Sequence, residues 1–202
     1  MCDWRDTLFC WRGVLSATEG GGGKERVMWS GTWVGSEDGE LPTQDQFEQS
    51  KNKFQLSAEA ALAAVAGSEV VWKGWYKLDN GDGLDNVEDW SHACAFGEPA
   101  AAAVPSETEA ASAGDADAVG SCVVAAKGTT EFGQFISRGR LVDDTLVLCR
   151  RYVDDKDARL KEELPMAVEA ARRDHAAAPW RDAITSRASK KLRTGTKRKR
   201  KA

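Results

Sequence analysis

Hydrophobic and polar residues alternate along most of the first 153 positions, which is the period-2 pattern of half-buried β-strands. The clearest stretch spans residues 27–35, and its odd-numbered positions would share one face: Val27, Trp29, Gly31, Trp33 and Gly35. Seven further segments alternate in the same way: residues 7–15, 47–56, 69–78, 87–96, 120–127, 132–140 and 145–153. The pattern therefore predicts eight successive strands.

The connections between these segments are mostly polar, and none is a long helical crossover of the kind that parallel strands need. Successive antiparallel strands can close into a barrel, which leaves no exposed sheet edge. We therefore predict an eight-stranded antiparallel up-and-down β-barrel, with a two-sheet β-sandwich of the same strand order as the alternative. Glycines recur within the strands, as in the Trp-X-Gly triplets at 11–13 and 72–74, and indicate positions where the sheet bends or backbones crowd.

Four segments depart from the alternating pattern. Residues 36–46 are polar and are predicted to form a loop, whereas the alanine-rich residues 57–67 are predicted to form a short helix. Residues 155–164 and 166–177 have helical character, with Pro165 at a break or in a first turn.

Composition divides the chain into three parts. Residues 1–154 form the predicted barrel domain, with a low-complexity insertion at 97–119 that is too poor in large apolar residues to fold and is predicted to be disordered. A helical extension covers residues 155–189, and a basic disordered tail covers residues 190–202.

The formal net charge of −4 conceals an asymmetry. Residues 187–202 contain nine of the 28 basic residues and no acidic one, so 19 basic residues face 32 acidic ones in the rest of the chain. An acidic body with a basic tail is typical of an address segment rather than of a DNA-coating domain. The residues predicted to bind a nuclear import receptor are Lys190, Lys191, Lys197, Arg198, Lys199, Arg200 and Lys201.

We therefore expect the protein in the nucleus, with the cytoplasm as the alternative. Contact of the tail with nucleic acid would be non-specific, because the tail has no aromatic residue for base stacking. No secretory signal or apolar run of membrane-spanning length is apparent, so no membrane partner is expected.

The triplet Gly31-Thr32-Trp33 resembles the Gly-X-Trp signature that opens the calycin barrels, which include the lipocalins and the fatty-acid-binding proteins. The resemblance implies a barrel that binds an apolar ligand. It also implies that the Trp closes one barrel end against a basic side chain from a late strand, here Arg150 or Arg151.

Aromatic residues dominate the face that the alternation places inside the barrel. An eight-stranded barrel is just wide enough to be filled by side chains or to hold one small ligand. The cluster is therefore either a packed core or a flat-walled pocket for an apolar or aromatic ligand. The candidate ligand-binding residues, with Arg150 added from the resemblance, are Trp11, Trp29, Trp33, Trp72, Tyr76, Trp90, His92 and Arg150.

The sequence indicates no metal, cofactor or catalytic residue. His92 and Cys94 could supply two metal ligands, but no third follows at the spacing of a metal site, and the acidic residues 79–88 lack the order of a calcium loop. No Gly-X-Ser-X-Gly motif is present. Four cysteines fall within predicted strands and are expected to be free buried thiols in a reducing compartment: Cys10, Cys94, Cys122 and Cys149.

Three functions from different classes remain open. The first is a non-enzymatic nuclear module that presents the barrel surface to a protein partner. The second is an intracellular carrier of a small apolar or aromatic ligand. The third is an enzyme of unknown chemistry. An open apolar lumen would favour the carrier, and a lumen filled by indoles would favour the module.

The basic tail generates the first testable prediction. Replacing residues 197–201 with alanine, in a fluorescent fusion too large to diffuse through nuclear pores, should abolish nuclear accumulation because an import receptor reads the basic side chains. Cell imaging measures the effect. Unchanged nuclear signal, or a parent fusion that stays outside the nucleus, would contradict the prediction.

Overall fold

The computed structural model describes residues 7–19, 25–36, 39–79, 81, 83–99 and 121–177. The low-complexity insertion from residue 100 onward, the helical extension beyond residue 177 and the basic tail lie outside these residues. No helix within the described part is long and apolar enough to cross a membrane.

Eight antiparallel strands form one closed barrel in which each strand pairs with the next and β8 pairs with β1. This confirms the predicted up-and-down barrel and excludes the sandwich. The strands are β1 Leu8–Glu19, β2 Glu25–Ser36, β3 Lys53–Ala58, β4 Glu69–Asp79, β5 Leu84–Phe96, β6 Cys122–Thr130, β7 Gly133–Val142 and β8 Thr145–Tyr152. The predicted inward face of β1, β2 and β4 is buried and forms the main core.

The segment before β3 differs from the prediction. Residues 47–56 were predicted as one strand, but helix α1 occupies Gln44–Gln49 and β3 begins only at Lys53. A capping box starts the helix, in which the Thr43 side chain accepts from the Gln46 backbone and the Gln46 side chain accepts from the Thr43 backbone. Phe47 then packs on the outside of the barrel, so its burial comes from the helix and not from a strand.

The predicted helix at 57–67 is wrong as well. The β3 ladder continues through Ala58, and only a 3₁₀ turn, Leu62–Ala64, follows it. Pairing of β3 with both neighbouring strands outweighs the high helix propensity of the alanines, because tertiary contacts readily override propensity. Val65, at the end of this turn, is buried in the main core, and the turn contacts β1 and β2, so this segment closes one end of the barrel, here called the closed end.

Residues after the barrel pack on its outer surface. The predicted helix at 155–164 is absent apart from a 3₁₀ turn, Ala158–Leu160, whereas helix α2 covers Leu164–Ala177 with Pro165 in its first turn. Val168 of α2 packs with Ala95 and Ala125 on the outer face of β5 and β6. The Lys127 ammonium donates to the carbonyl oxygens of Leu160 (3.1 Å) and Glu162 (2.7 Å), which stabilises the connection.

Glycines allow close approach between strands at several points, as the repeated Trp-X-Gly pattern predicts. Gly13 of β1 and Gly31 of β2 are direct cross-strand partners. A side chain at Gly31 would collide with the Arg12 carbonyl oxygen and the Gly13 Cα, and a side chain at Gly13 would strike the Phe54 ring. The absence of a Cβ therefore lets the Phe54 ring pack against the β1 backbone.

This close approach generates a stability prediction. Gly31→Ala should destabilise the barrel by about 2–3 kcal/mol, because backbone atoms that cannot move aside occupy the Cβ position. Gly35→Ala is the matched control on the same strand, since its nearest contacts would be the end of the Thr7 side chain at 3.3 Å and the Phe9 ring at 3.8 Å, with no backbone atom among them. Urea denaturation measures both variants. Equal stability of the two would contradict the crowding argument.

Candidate functional site

The part of the lumen near the closed end is packed with aromatic rings. Trp29 and Trp72 are fully buried, and their rings lie 6.1 Å apart. The Phe54 ring lies 4.6 Å from Trp29. These two tryptophans belong to the core, as the packed-core interpretation expected.

The other end of the barrel, here called the mouth, holds a cavity of about 300 Å³. It lies where β1 begins and where β2, β4 and β8 end. Trp11 is buried at its base, with its ring centroid 5.2 Å from Tyr76 and 6.0 Å from Trp33. The cavity is lined by Phe9, Trp11, Trp33, Tyr76, Leu78, Phe132, Arg150 and Tyr152.

Hydrogen bonds hold two of the lining side chains in place. The Trp33 indole N–H donates to the Lys77 carbonyl oxygen at 3.0 Å, which fixes its ring against the end of β4. The Tyr152 hydroxyl lies 3.1 Å from the Thr130 hydroxyl. The aromatic walls are therefore held before any ligand arrives.

Arg150 lies between the cavity and the packed core. Its guanidinium carbon is 3.8 Å from the Phe135 ring centroid and 4.5 Å from the Trp11 ring centroid, so two aromatic rings lie within cation–π distance of the guanidinium group. Its Nη2 donates to Asp89 Oδ2 at 2.7 Å and to His92 Nδ1 at 3.1 Å. All three side chains are at least 99% buried. The resemblance implied contact with Trp33, whereas the guanidinium lies over Trp11, the cross-strand partner of Trp33.

A β-bulge in β5 brings Asp89 and His92 to the same side. Trp72 pairs with His92 and Gly74 pairs with Asp89, so β5 has two residues, Trp90 and Ser91, where β4 has only Lys73. The Ser91 hydroxyl donates to the Thr129 carbonyl oxygen (2.9 Å) and accepts from the Thr129 N–H (3.0 Å), which ties the bulge to β6.

The bulge corrects the predicted face of β5. Strict alternation predicted that Trp90 faces the interior together with His92. In the structure the residue directly before the bulge, Asp89, faces the interior and is completely buried. The Trp90 side chain itself is outside the described part of the structure. Sequence reasoning missed Asp89 because the extra residue breaks the period of 2 on which the assignment depends.

Burial and pairing determine the charges in this cluster. Burial would raise the pKa of Asp89, but the Arg150 charge, its hydrogen bond to Asp89 and the nearby His92 together outweigh burial and hold that pKa well below its usual range. Burial, with the Arg150 charge, lowers the pKa of His92 despite the nearby Asp89. His92 is therefore neutral, accepts at Nδ1 and carries its proton on Nε2. The cluster holds one positive and one negative charge.

The structure divides the predicted ligand-binding residues into two groups. Trp11, Trp33, Tyr76 and Arg150 line the cavity, whereas Trp29, Trp72 and His92 lie beneath it. Four lining residues were not among the candidate ligand-binding residues. Three of them could have been found, because each lies two positions from a candidate residue on the same strand face. The four are Phe9, Leu78, Phe132 and Tyr152.

Cys10, Cys94, Cys122 and Cys149 are free and buried, as expected. Burial raises the pKa of the Cys94 thiol far above its ordinary value, which makes it an inert neighbour of His92. Among the described residues, no group of three or more His, Cys, Asp or Glu side chains could hold a metal ion.

Comparison with known proteins yields no match to a family model, a curated protein or a solved structure. The resemblance to calycin barrels therefore stays a prediction that depends on three residues. The import residues at 190–201 lie outside the described part of the chain, so nuclear localisation also stays a prediction.

The buried neutral imidazole generates a pH prediction. Below pH 6.5, the ordinary pKa of histidine, His92 becomes protonated in the unfolded chain. In the folded state its lowered pKa keeps it neutral to a lower pH. The free energy of unfolding should therefore fall by about 1 kcal/mol per pH unit between pH 6 and pH 5. His92→Asn keeps an acceptor near the Nδ1 position but does not titrate in this range, so it should remove this loss.

Urea denaturation at several pH values measures the slope. His175→Asn, which keeps His92, is the control and should retain the loss of stability. A His92→Asn variant with the wild-type pH dependence would show that His92 is not the responsible group.

Proposed function

We propose that this protein binds a small apolar or aromatic molecule in the mouth of the barrel. The observation that carries the proposal is the aromatic-lined cavity of about 300 Å³ above an otherwise packed lumen. The proposal favours the ligand-carrier hypothesis over the protein-binding module. If the predicted import signal functions, binding takes place in the nucleus.

The size and shape of the cavity suit a compact ligand. Its volume equals the share of about ten water molecules in the liquid and lies at the lower end of the range for ligand pockets. Six of the eight described lining residues are aromatic and offer flat apolar walls. Because hydrogen bonds already hold Trp33 and Tyr152, a ligand loses little affinity to ordering the site.

The chemistry of the lining supports binding. The cavity presents ring faces, two phenol hydroxyls and one guanidinium, which are groups that orient a ligand and supply hydrogen bonds. A nucleophile would need a neighbouring base, and the His92 imidazole is buried beneath the cavity with its Nδ1 engaged by Arg150.

A second, wider hollow of about 690 Å³ lies on the outer surface between β1, β2 and α1. Its rim carries polar and charged side chains such as Arg12, Glu48 and Lys53. This hollow is a poor match for an apolar small molecule. Binding of a protein partner to the barrel surface is kept as the alternative to ligand binding.

Titration with naphthalene, and a substitution that occupies the cavity, test the proposal. Naphthalene should shift the indole N–H resonances of Trp11 and Trp33 in a saturable manner, because both rings line the cavity. Leu78→Trp should weaken this binding about tenfold or more, because the larger side chain occupies the ligand's volume. Heteronuclear NMR titration of the full-length protein measures both effects.

Val71→Trp is the matched control, because Val71 lies on the same strand but is 53% exposed on the outer face. It should bind naphthalene as the wild type does. Absence of saturable shifts in the wild type, or equal effects of the two substitutions, would refute binding in the mouth.

A further inference from the structure

We infer that the cavity selects an uncharged ligand bearing a hydrogen-bond acceptor and discriminates against carboxylates, because the only ionised lining group described, Arg150, already has Asp89 as its counter-ion. This inference rests on the proposed function and adds to it the chemical class of the ligand.

The charges at the cavity are already balanced. Arg150 and Asp89 form an ion pair at 2.7 Å, and their side chains are 1% and 0% exposed. The other described lining residues are aromatic or aliphatic, with no further cation among them. A carboxylate at the base of the cavity would therefore add a negative charge beside buried aromatic rings with no counter-ion of its own, which is unfavourable.

A ligand carboxylate could pair with Arg150 only by displacing Asp89. The exchange would leave Asp89 as a buried anion without its partner. The remaining neighbour, His92, lies 3.6 Å from Asp89 through Nδ1, and burial lowers the pKa of His92, which opposes its protonation. The exchange therefore gains an ion pair between Arg150 and the ligand but loses the more deeply buried ion pair between Arg150 and Asp89.

The guanidinium of Arg150 has hydrogen-bond donors that no protein group uses. Arginine has five N–H groups, and the two on Nη2 serve Asp89 and His92. The Nε and Nη1 atoms of Arg150 are buried and have no hydrogen-bond partner in the structure. Leaving buried donors unpaired is costly, so a neutral acceptor that reaches Arg150 from the cavity would recover part of that cost.

Three naphthalene probes of similar shape test the inference on the full-length protein at pH 7.5. They are 2-acetonaphthone, which has a carbonyl acceptor; 2-ethylnaphthalene, which has none; and 2-naphthoate, which is ionised. Isothermal titration calorimetry measures each Kd. We expect 2-acetonaphthone to bind most tightly and 2-naphthoate to bind about tenfold or more weakly than it.

Asp89→Asn makes the test specific to the ion pair. The variant keeps the side-chain shape but leaves the Arg150 charge without its counter-ion, so the order of affinities should invert in favour of 2-naphthoate. Glu88→Gln is the matched control, since it removes the same charge from an exposed neighbouring position. It should keep the wild-type order.

The outcomes separate this inference from the proposed function. If none of the probes binds the wild type, ligand binding in the mouth is wrong and the inference is overturned with it. If the probes bind but 2-naphthoate equals or exceeds 2-acetonaphthone, ligand binding stands and the inference is overturned. An unchanged order in a folded Asp89→Asn variant also overturns it.

A double variant covers the case in which Asp89→Asn fails to fold, as judged by circular dichroism. Arg150→Met with Asp89→Asn removes both charges together and keeps the cluster neutral. It should still bind 2-ethylnaphthalene but lose the preference for 2-acetonaphthone. A retained preference would show that the guanidinium donors play no part in selection.

Discussion

The ion pair between Arg150 and Asp89 is the interaction on which the interior of this barrel depends. It joins β8 to β5 across the lumen, and these strands are not neighbours in the sheet. Taking two charges out of water is unfavourable unless they are paired and hydrogen-bonded. The close contact to Asp89, the hydrogen bond to His92 and the rings of Trp11 and Phe135 supply that compensation together. Loss of one partner would leave the other as an unpaired buried charge.

The cluster also marks the boundary between two halves of the lumen. Towards the closed end, Trp29 and Trp72 fill the barrel, and the segment containing Val65 covers its end. Towards the mouth, Trp11 and Arg150 form the base of the cavity. The two interpretations of the aromatic cluster, a packed core and a ligand pocket, therefore apply to different parts of the same barrel. A rigid packed half holds the walls of the open half in position.

Local sequence signals account for much of the fold. Alternation located all eight strands, because a strand with one buried face must place apolar residues at every second position. It was least accurate around β3, where a capping box formed α1 and strand pairing outweighed the alanine-rich pattern after Ser57. In both places two local preferences competed, and contacts with distant strands decided between them.

The sequence alone determined that the chain forms a barrel, which residues of β1, β2 and β4 face its interior, and that buried aromatic side chains dominate this interior. It could not determine that Asp89 faces inward, because the bulge that turns it depends on the pairing of β5 with β4 and β6. Nor could it show where the lumen is open. Whether rings fill a space depends on how side chains from several strands meet, and only the tertiary structure brings those strands together.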